Sequence, residues 1–188
     1  MKLKTVFAVF LAVLIIACMI APAFSQEMPA PGTTIDKSNY KKYQHLFPEE
    51  FGGLFEKLPL VATAENGILA LHGGLPDLTR LEDVNGITWG DVPWNMIVWG
   101  DFVEEPGDLL GDRYGRPQLG EQYFRRLMQR YQKQLLIRSH QPDSPLEMFD
   151  QKCITIFTSH AYVATRTVVI VDLEKEIRTA GDVMIKTV

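Results

Sequence analysis

Two histidines lie where apolar segments of the chain end, and their positions suggest metal chemistry. His72 follows the apolar residues 69–71 and precedes Gly73-Gly74, whereas His140 follows the apolar residues 135–137 and Arg138-Ser139. An imidazole at the end of a buried strand is a common metal ligand. We expect the two glycines to let a ligand approach the backbone beside His72.

Two arginines lie in the glycine-rich stretch between these histidines. Arg113 and Arg116 carry guanidinium groups, which can bind a phosphate through two parallel hydrogen bonds. Two imidazoles suit a transition metal, and a metal beside an arginine-bound anion suits phosphoester hydrolysis. On spacing alone, a structural role for each histidine is the alternative interpretation.

Periodicity predicts the elements that must position these side chains. Asn66-Gly67 between the apolar residues 60–62 and 68–71 predicts a hairpin whose second strand ends at His72. An apolar face at helical spacing predicts a helix that begins near Glu121 and includes Phe124, Leu127, Met128, Tyr131 and Leu135. The remaining predictions are helices within 40–57 and over 77–83, a loop over 106–118, and strands over 135–138, 153–158, 167–171 and 183–185.

The first 25 residues predict export from the cytoplasm. Two lysines precede a long apolar run and a segment rich in small residues, the pattern of a cleaved signal peptide over 1–25. A retained membrane anchor over 5–25 and a lipoprotein acylated at Cys18 are the alternatives. All three place the domain outside the cytoplasm, after a Pro-containing linker over 26–39.

Composition limits the classes of partner and of cysteine chemistry. The net charge of −4 and the lack of a dense basic patch argue against a nucleic-acid partner. Besides Cys18, the chain has one cysteine, so no disulfide is expected within the domain. That cysteine, Cys153, lies in an apolar run and is predicted to be a small buried hydrophobic residue.

Six blocks of the sequence carry a family resemblance. They are Leu58–Ala62, Leu71–Leu75, Val98–Asp101, Arg113–Gly120, Leu136–Gln141, and Cys153–Ser159 followed by Tyr162. In this order they resemble the second half of the PPP-type serine/threonine protein phosphatases, hydrolases of the calcineurin-like metallophosphoesterase superfamily. The resemblance implies that residues 40–188 are the C-terminal half of such a domain. The implied fold is α/β (α+β), a partial mixed β-sandwich flanked by helices whose N-terminal half is missing.

The resemblance also implies roles for individual residues. His72 and His140 match two imidazole ligands of one metal ion in a dinuclear site, for which Mn, Fe or Zn is expected. Arg113 matches the arginine that binds the substrate phosphate, with Arg116 as the alternative. Tyr162 matches a tyrosine that lines the site.

The same resemblance implies an incomplete centre. Three family motifs, Gly-Asp-x-His-Gly, Gly-Asp-x-x-Asp-Arg-Gly and Gly-Asn-His-Glu, supply the other metal ligands and the general-acid histidine, and none of them occurs in this sequence. No catalytic residue is therefore assigned. Carboxylates such as Asp101, Asp108 or Asp112 could supply a third ligand.

Three hypotheses about function follow from this incomplete set. The chain is a truncated and impaired protein phosphatase, an exported non-catalytic interaction domain, or one half of a split phosphatase that another chain completes. A phosphoprotein or phosphoester is the expected substrate if the chain is active. A complementing chain or a second copy is the expected protein partner, and membrane contact is expected only through the N-terminal segment.

Overall fold

The computed structural model describes residues 59–88, 90–159 and 165–188. Apart from Pro59, these residues belong to one compact unit, Leu60–Val188. The predicted export segment, the linker, the helices within 40–57 and Tyr162 lie outside the described residues. Within the described part of the chain, every helix is too short or too polar to cross a membrane.

Ten strands and two α-helices form the described unit. The strands are β1 (Val61–Thr63), β2 (Ile68–Leu71), β3 (Asp101–Phe102), β4 (Leu109–Arg113), β5 (Arg116–Leu119), β6 (Leu135–Arg138), β7 (Glu147–Met148), β8 (Cys153–Thr155), β9 (Thr167–Ile170) and β10 (Met184–Thr187). The helices are α1 (Val92–Trp99) and α2 (Glu121–Arg130), and short 3₁₀ turns span Leu81–Gly86 and Ala180–Asp182.

A five-stranded mixed sheet in the order β1-β2-β6-β8-β7 forms the centre of the unit. Strands β1 and β2 pair antiparallel across the predicted Asn66-Gly67 turn, where Gly67 has a φ of 102°. Strands β2, β6 and β8 run parallel to one another, and every residue of these three strands is buried. A parallel strand covered on both faces favours such continuous apolar sequence, so the predictions for 68–71 and 135–138 are confirmed.

The predicted loop over 106–118 is wrong, because most of it forms the hairpin β4–β5. This hairpin joins β3 in a three-stranded sheet of order β3-β5-β4. Tyr114 and Gly115 both have positive φ, 58° and 79°, as a two-residue type I′ turn requires. Gly111, at a φ of 110°, lies where the strand register shifts. The glycines therefore form the turn and bulge of a hairpin rather than an irregular loop.

Helix α2 confirms the helix predicted after Glu121, although it ends at Arg130 and Leu135 belongs to β6. Its buried face includes Phe124, which stacks on Phe149 at a centroid separation of 4.4 Å and meets Phe102 edge-on at 5.5 Å. This cluster links α2 to β3. The predicted short helix lies at Leu81–Gly86 rather than over 77–83, and the three C-terminal strands occur at β8, β9 and β10.

Candidate functional site

The two histidines are neighbours because the strands before them are parallel neighbours. Strands β2 and β6 end at the same edge of the sheet, and the backbone N–H of Ser139 donates to the carbonyl of His72 over 3.0 Å. His140 is held in the left-handed region at a φ of 74°, a conformation that non-glycine residues rarely adopt. Such local strain is often found at functional sites and here turns the chain at the end of β6.

The glycines after His72 make room for a helix, which corrects the expectation that a ligand approaches there. The N–H of Gly73 donates to the carbonyl of Ile97 over 2.7 Å, at the C-terminal end of α1. A Cβ added to Gly73 would lie 2.7 Å from that oxygen, and one added to Gly74 would lie 2.4 Å from Cδ1 of Leu119. A Cβ on Gly100 would likewise lie 3.0 Å from Cα of Gly74. Backbone contacts between helix and loop thus hold His72.

The facing nitrogens of the pair have the spacing of two ligands on one ion. Nε2 of His72 lies 3.1 Å from Nδ1 of His140. Two nitrogens bound about 2.1 Å from one metal, at angles of about 90–109°, are separated by about 3.0–3.4 Å. The distance also permits a hydrogen bond between the rings, in which one nitrogen carries a proton. The donor pair therefore fits a divalent transition metal, which neutral imidazoles bind.

Both imidazoles are neutral at physiological pH. Burial lowers the pKa of His72 to about 4, and the positive charges of Arg138 and Arg116 lower it further. Burial, then contact with His72 and the charge of Arg116, lowers the pKa of His140 to about 2. Because a metal ligand must be unprotonated, these surroundings keep both rings in the form that binds a cation.

Arg116 and Asp101 lie on the other side of the His140 ring. Nη2 of Arg116 is 2.7 Å from Nε2 of His140, and its Nη1 is 3.6 Å from Oδ2 of Asp101. The side chain of Arg116 is 35% exposed. Trp99, whose ring meets that of His140 edge-on, is also exposed. The cluster of His140, Asp101 and Arg116 therefore reaches solvent at Arg116, whose guanidinium can contact an anion there.

Arg113 occupies a different place from Arg116, although the two residues pair across the hairpin. It is exposed, and its guanidinium lies over the ring of Tyr114, itself 91% exposed, at the turn. Of the two predicted phosphate arginines, the structure brings Arg116 to the histidines and leaves Arg113 at the tip of the hairpin.

Of the three carboxylates considered as a third ligand, Asp101 alone is placed at the histidines. Asp108 forms an ion pair with Arg126 at 2.8 Å, and Asp112 accepts a hydrogen bond from the N–H of Gly115 in the hairpin turn. Oδ1 of Asp101 lies 3.4 Å from Nε2 of His140, on the ring edge away from His72. Among the described residues, no three histidines, cysteines or carboxylates form a group able to hold a metal.

Two supporting residues were not predicted from the sequence. The side-chain amide of Gln141 accepts from the N–H of Phe102 over 2.8 Å and donates to its carbonyl over 3.2 Å, which ties β3 to the end of β6. Arg138 is fully buried, donates to the amide oxygen of Gln141, and lies over the ring of Phe102. Their position in the block around His140 was the available indication. Tyr162 lies outside the described residues.

A family profile settles the relationship that this geometry suggests. The profile of calcineurin-like phosphoesterases matches residues 32–144, more than half of the chain. The chain belongs to the calcineurin-like phosphoesterase family. The matched segment contains both histidines and both hairpin arginines, so the site lies within the family domain.

Curated relatives and a solved structure agree with this membership. The chain is 27% identical over 133 residues to a serine/threonine-protein phosphatase of Caenorhabditis elegans, covering 66% of this chain and 29% of that protein. It is 30% identical over 137 residues to serine/threonine-protein phosphatase T of Aspergillus oryzae, covering 66% and 28%. The chain thus spans less than a third of these relatives.

The structural comparison shows the fold. A serine/threonine phosphatase of Saccharomyces cerevisiae superposes with a TM-score of 0.57 at 20% identity, covering 78% of this chain and 53% of that one. The predicted α/β calcineurin-like fold is therefore confirmed. Members of this phosphoesterase family use divalent metals, which agrees with the donor pair at the end of β2 and β6.

Proposed function

We propose that this domain binds one divalent cation through His72 and His140 and a phosphoester through Arg116, with impaired hydrolysis when it acts alone. The observation that carries the proposal is the 3.1 Å separation of the two neutral ring nitrogens, with Arg116 on the same imidazole. Phosphorylated protein is the proposed substrate class, because the curated relatives are named serine/threonine-protein phosphatases.

In this proposal the histidines bind the cation and Arg116 binds the anion. His72 and His140 would hold Mn, Fe or Zn, which as a bound cation would neutralise phosphoryl oxygens and lower the pKa of a bound water. Arg116 reaches solvent and can hold a phosphate through two hydrogen bonds. The buried positive charge of Arg138 adds to a field that favours an anion.

The donor set of the described residues supports impaired catalysis. Catalytic zinc sites use three protein ligands, whereas the described residues offer two imidazoles and no grouped third donor. The sequence also lacks the three family motifs that carry the remaining ligands and the general acid. Two protein ligands bind a cation weakly. The carboxylate that would bridge this cation to a second metal ion belongs to the missing motifs.

Metal titration and a phosphatase assay of the full-length chain test this proposal together. We expect Mn²⁺ or Zn²⁺ binding that the double variant His72→Gln/His140→Asn loses, because asparagine tolerates the left-handed backbone of His140. We expect p-nitrophenyl phosphate turnover no higher than that of the double variant. Metal-dependent turnover that the variant loses would overturn the impairment, and equal metal binding by both proteins would overturn the metal site.

A matched pair of arginine variants tests the phosphate site. In the presence of Mn²⁺, Arg116→Ala should weaken binding of inorganic phosphate about tenfold or more, since a charge-assisted hydrogen bond contributes about 1.5–3 kcal/mol. Arg113→Ala removes the same charge from the same hairpin and should change binding less than twofold. The reverse ranking would assign the phosphate to Arg113.

A split phosphatase is the second candidate, and unpaired buried polar atoms favour it. Nε and Nη2 of Arg138 are buried and have no hydrogen-bond partner among the described residues. Buried polar groups are normally paired, so these atoms indicate an arrangement that is incomplete in the chain alone, and a second chain that carries the missing motifs would complete the ligand set. Co-expression with such a chain should restore metal-dependent turnover, and no rescue by any motif-bearing candidate would count against it.

We also propose that the protein is exported, as its N-terminal sequence predicts. A positively charged start followed by a long apolar run supports the proposal. Fractionation of expressing cells should find the chain outside the cytoplasm, with mass spectrometry of its N-terminus separating cleavage after the small residues from retention or acylation at Cys18. A cytoplasmic chain that keeps Met1 would contradict export.

A further inference from the structure

A buried carboxylate at the site has one oxygen that no described residue hydrogen-bonds. Asp101 follows Gly100, the residue after α1, and is 8% exposed. Its Oδ2 lies 3.3 Å from the amide nitrogen of Gln118 and 3.6 Å from Nη1 of Arg116. Its Oδ1 has no hydrogen-bond partner in the described part of the chain and lies 3.4 Å from Nε2 of His140. The free oxygen therefore faces the edge of the imidazole that is turned away from His72.

Only one of the two ring nitrogens of a neutral His140 carries a proton, so its two edges cannot both accept a hydrogen bond. When Arg116 donates to Nε2 of His140, that nitrogen carries no proton, and Nδ1 must carry it and donate to His72. When Nε2 of His140 carries the proton instead, Nδ1 of His140 has a free lone pair. This lone pair and that of Nε2 of His72 then both point into the space between the two rings. The second tautomer is the one that presents two nitrogens to a cation.

The surroundings of Nε2 favour this second tautomer once a cation is bound. Oδ1 of Asp101 lies 3.4 Å from Nε2 of His140, close enough to accept a hydrogen bond after a small shift. A carboxylate or carbonyl on the far nitrogen of a metal-binding histidine fixes the ring and raises its basicity. Oδ2 of Asp101 meanwhile offers Arg116 a second contact when it leaves Nε2.

We propose that Asp101 is a positioning residue whose buried Oδ1 accepts a hydrogen bond from Nε2–H of His140, which keeps the proton on Nε2 and so presents Nδ1, with Nε2 of His72, to one divalent cation. The inference rests on the proposed metal site and adds to it a residue outside the ligand pair. Asp101 does not contact the cation in this arrangement, because it lies on the opposite edge of the ring. It sets the affinity of the site by selecting the orientation and tautomer of His140.

Cobalt titration of the full-length chain, followed by visible absorbance, tests the inference. Asp101→Ala should bind Co²⁺ about 10–100-fold more weakly than wild type, the usual effect of removing such a partner. Asp101→Asn keeps an acceptor oxygen of the same shape and should fall between the two. Asp112→Asn removes an equal charge from the exposed hairpin turn and should bind like wild type.

A second measurement separates positioning from a general loss of structure. In zinc-loaded protein, nitrogen-15 spectra should show His140 protonated at Nε2 in wild type and a changed or mixed tautomer in Asp101→Ala. Thermal unfolding in chelator should be nearly unchanged for Asp101→Asn, so that weaker metal binding cannot reflect misfolding.

The outcomes distinguish the two proposals. Binding by Asp101→Ala and Asp101→Asn within twofold of wild type, with wild-type binding that the double histidine variant loses, overturns the role of Asp101 alone. Wild-type binding no tighter than that of His72→Gln/His140→Asn overturns the metal site and the positioning role together. A tenfold or larger loss in Asp101→Ala, an intermediate loss in Asp101→Asn and none in Asp112→Asn, with the altered tautomer in Asp101→Ala, supports the inference.

Discussion

Acid should destabilise this domain through its histidine pair. Both rings are held neutral in the folded protein, with the pKa of His72 lowered to about 4 and that of His140 to about 2. In the unfolded chain each imidazole has a pKa of about 6.5. Between pH 6.5 and the lowered values, the unfolded state therefore binds more protons than the folded state, and the free energy of unfolding falls as the pH falls.

The magnitude follows from this difference in proton binding. For each histidine that stays neutral in the folded state, the free energy of unfolding falls by about 1.4 kcal/mol per pH unit below about 6.5. At pH 5 the decrease is about 2 kcal/mol per histidine. The two histidines together should lower the free energy of unfolding by about 4 kcal/mol between pH 7 and pH 5. This is a large part of the 5–15 kcal/mol that is typical of a folded domain.

Urea unfolding in the presence of EDTA, followed by circular dichroism at pH 7, 6 and 5, measures the effect without a bound metal. The variant His72→Gln/His140→Asn should lose at least 3 kcal/mol less than wild type over this range, on the order set by the same linkage. Carboxylates titrate in both proteins and cancel in the comparison. Equal losses would refute the idea that the folded domain buries this pair in its neutral form.

Three further predictions concern the scaffold. Gly73→Ala should destabilise the domain by about 2 kcal/mol or more because its Cβ would meet a backbone carbonyl at 2.7 Å, whereas Gly86→Ala, with open space at that position, should not; urea midpoints decide. Burial raises the pKa of the Cys153 thiol to about 12, so in a Cys18→Ser background a thiol reagent should modify it only after unfolding. Leu136→Ala, in a fully buried strand, should cost about 2–5 kcal/mol in urea unfolding, and a loss below 1 kcal/mol would contradict its placement.

The sequence predicted the parts of the fold that depend on apolar periodicity. Strands β2 and β6 are continuous apolar runs, and the Asn66-Gly67 turn has a strong local preference, so their positions and the proximity of His72 and His140 could be expected. The hairpin β4–β5 was missed because its residues, apart from the buried Leu119, are exposed or half-exposed and its first strand contains glycine, so apolar alternation is absent.

The details of the site depended on tertiary contacts that no pattern encodes. Arg113 and Arg116 pair across one hairpin, and Arg116 is the one at His140 because its strand β5, rather than β4, lies beside β3. The glycines after His72 were predicted to admit a ligand, yet they admit the end of α1, because helix packing also needs small residues. Oδ1 of Asp101 meets His140 through an arrangement of β3 that sequence spacing does not reveal.

The contact between α1 and the loop after His72 limits how this site can change over time. Gly73, Gly74 and Gly100 meet backbone to backbone, and Asp101 follows the last of them directly. A larger side chain at any of the three would move the imidazole loop and the carboxylate in one step while also disturbing the sheet edge. Substitutions at this junction should therefore disturb the fold together with the site, so the geometry around the histidines is tied to the stability of the domain as well as to any chemistry it supports.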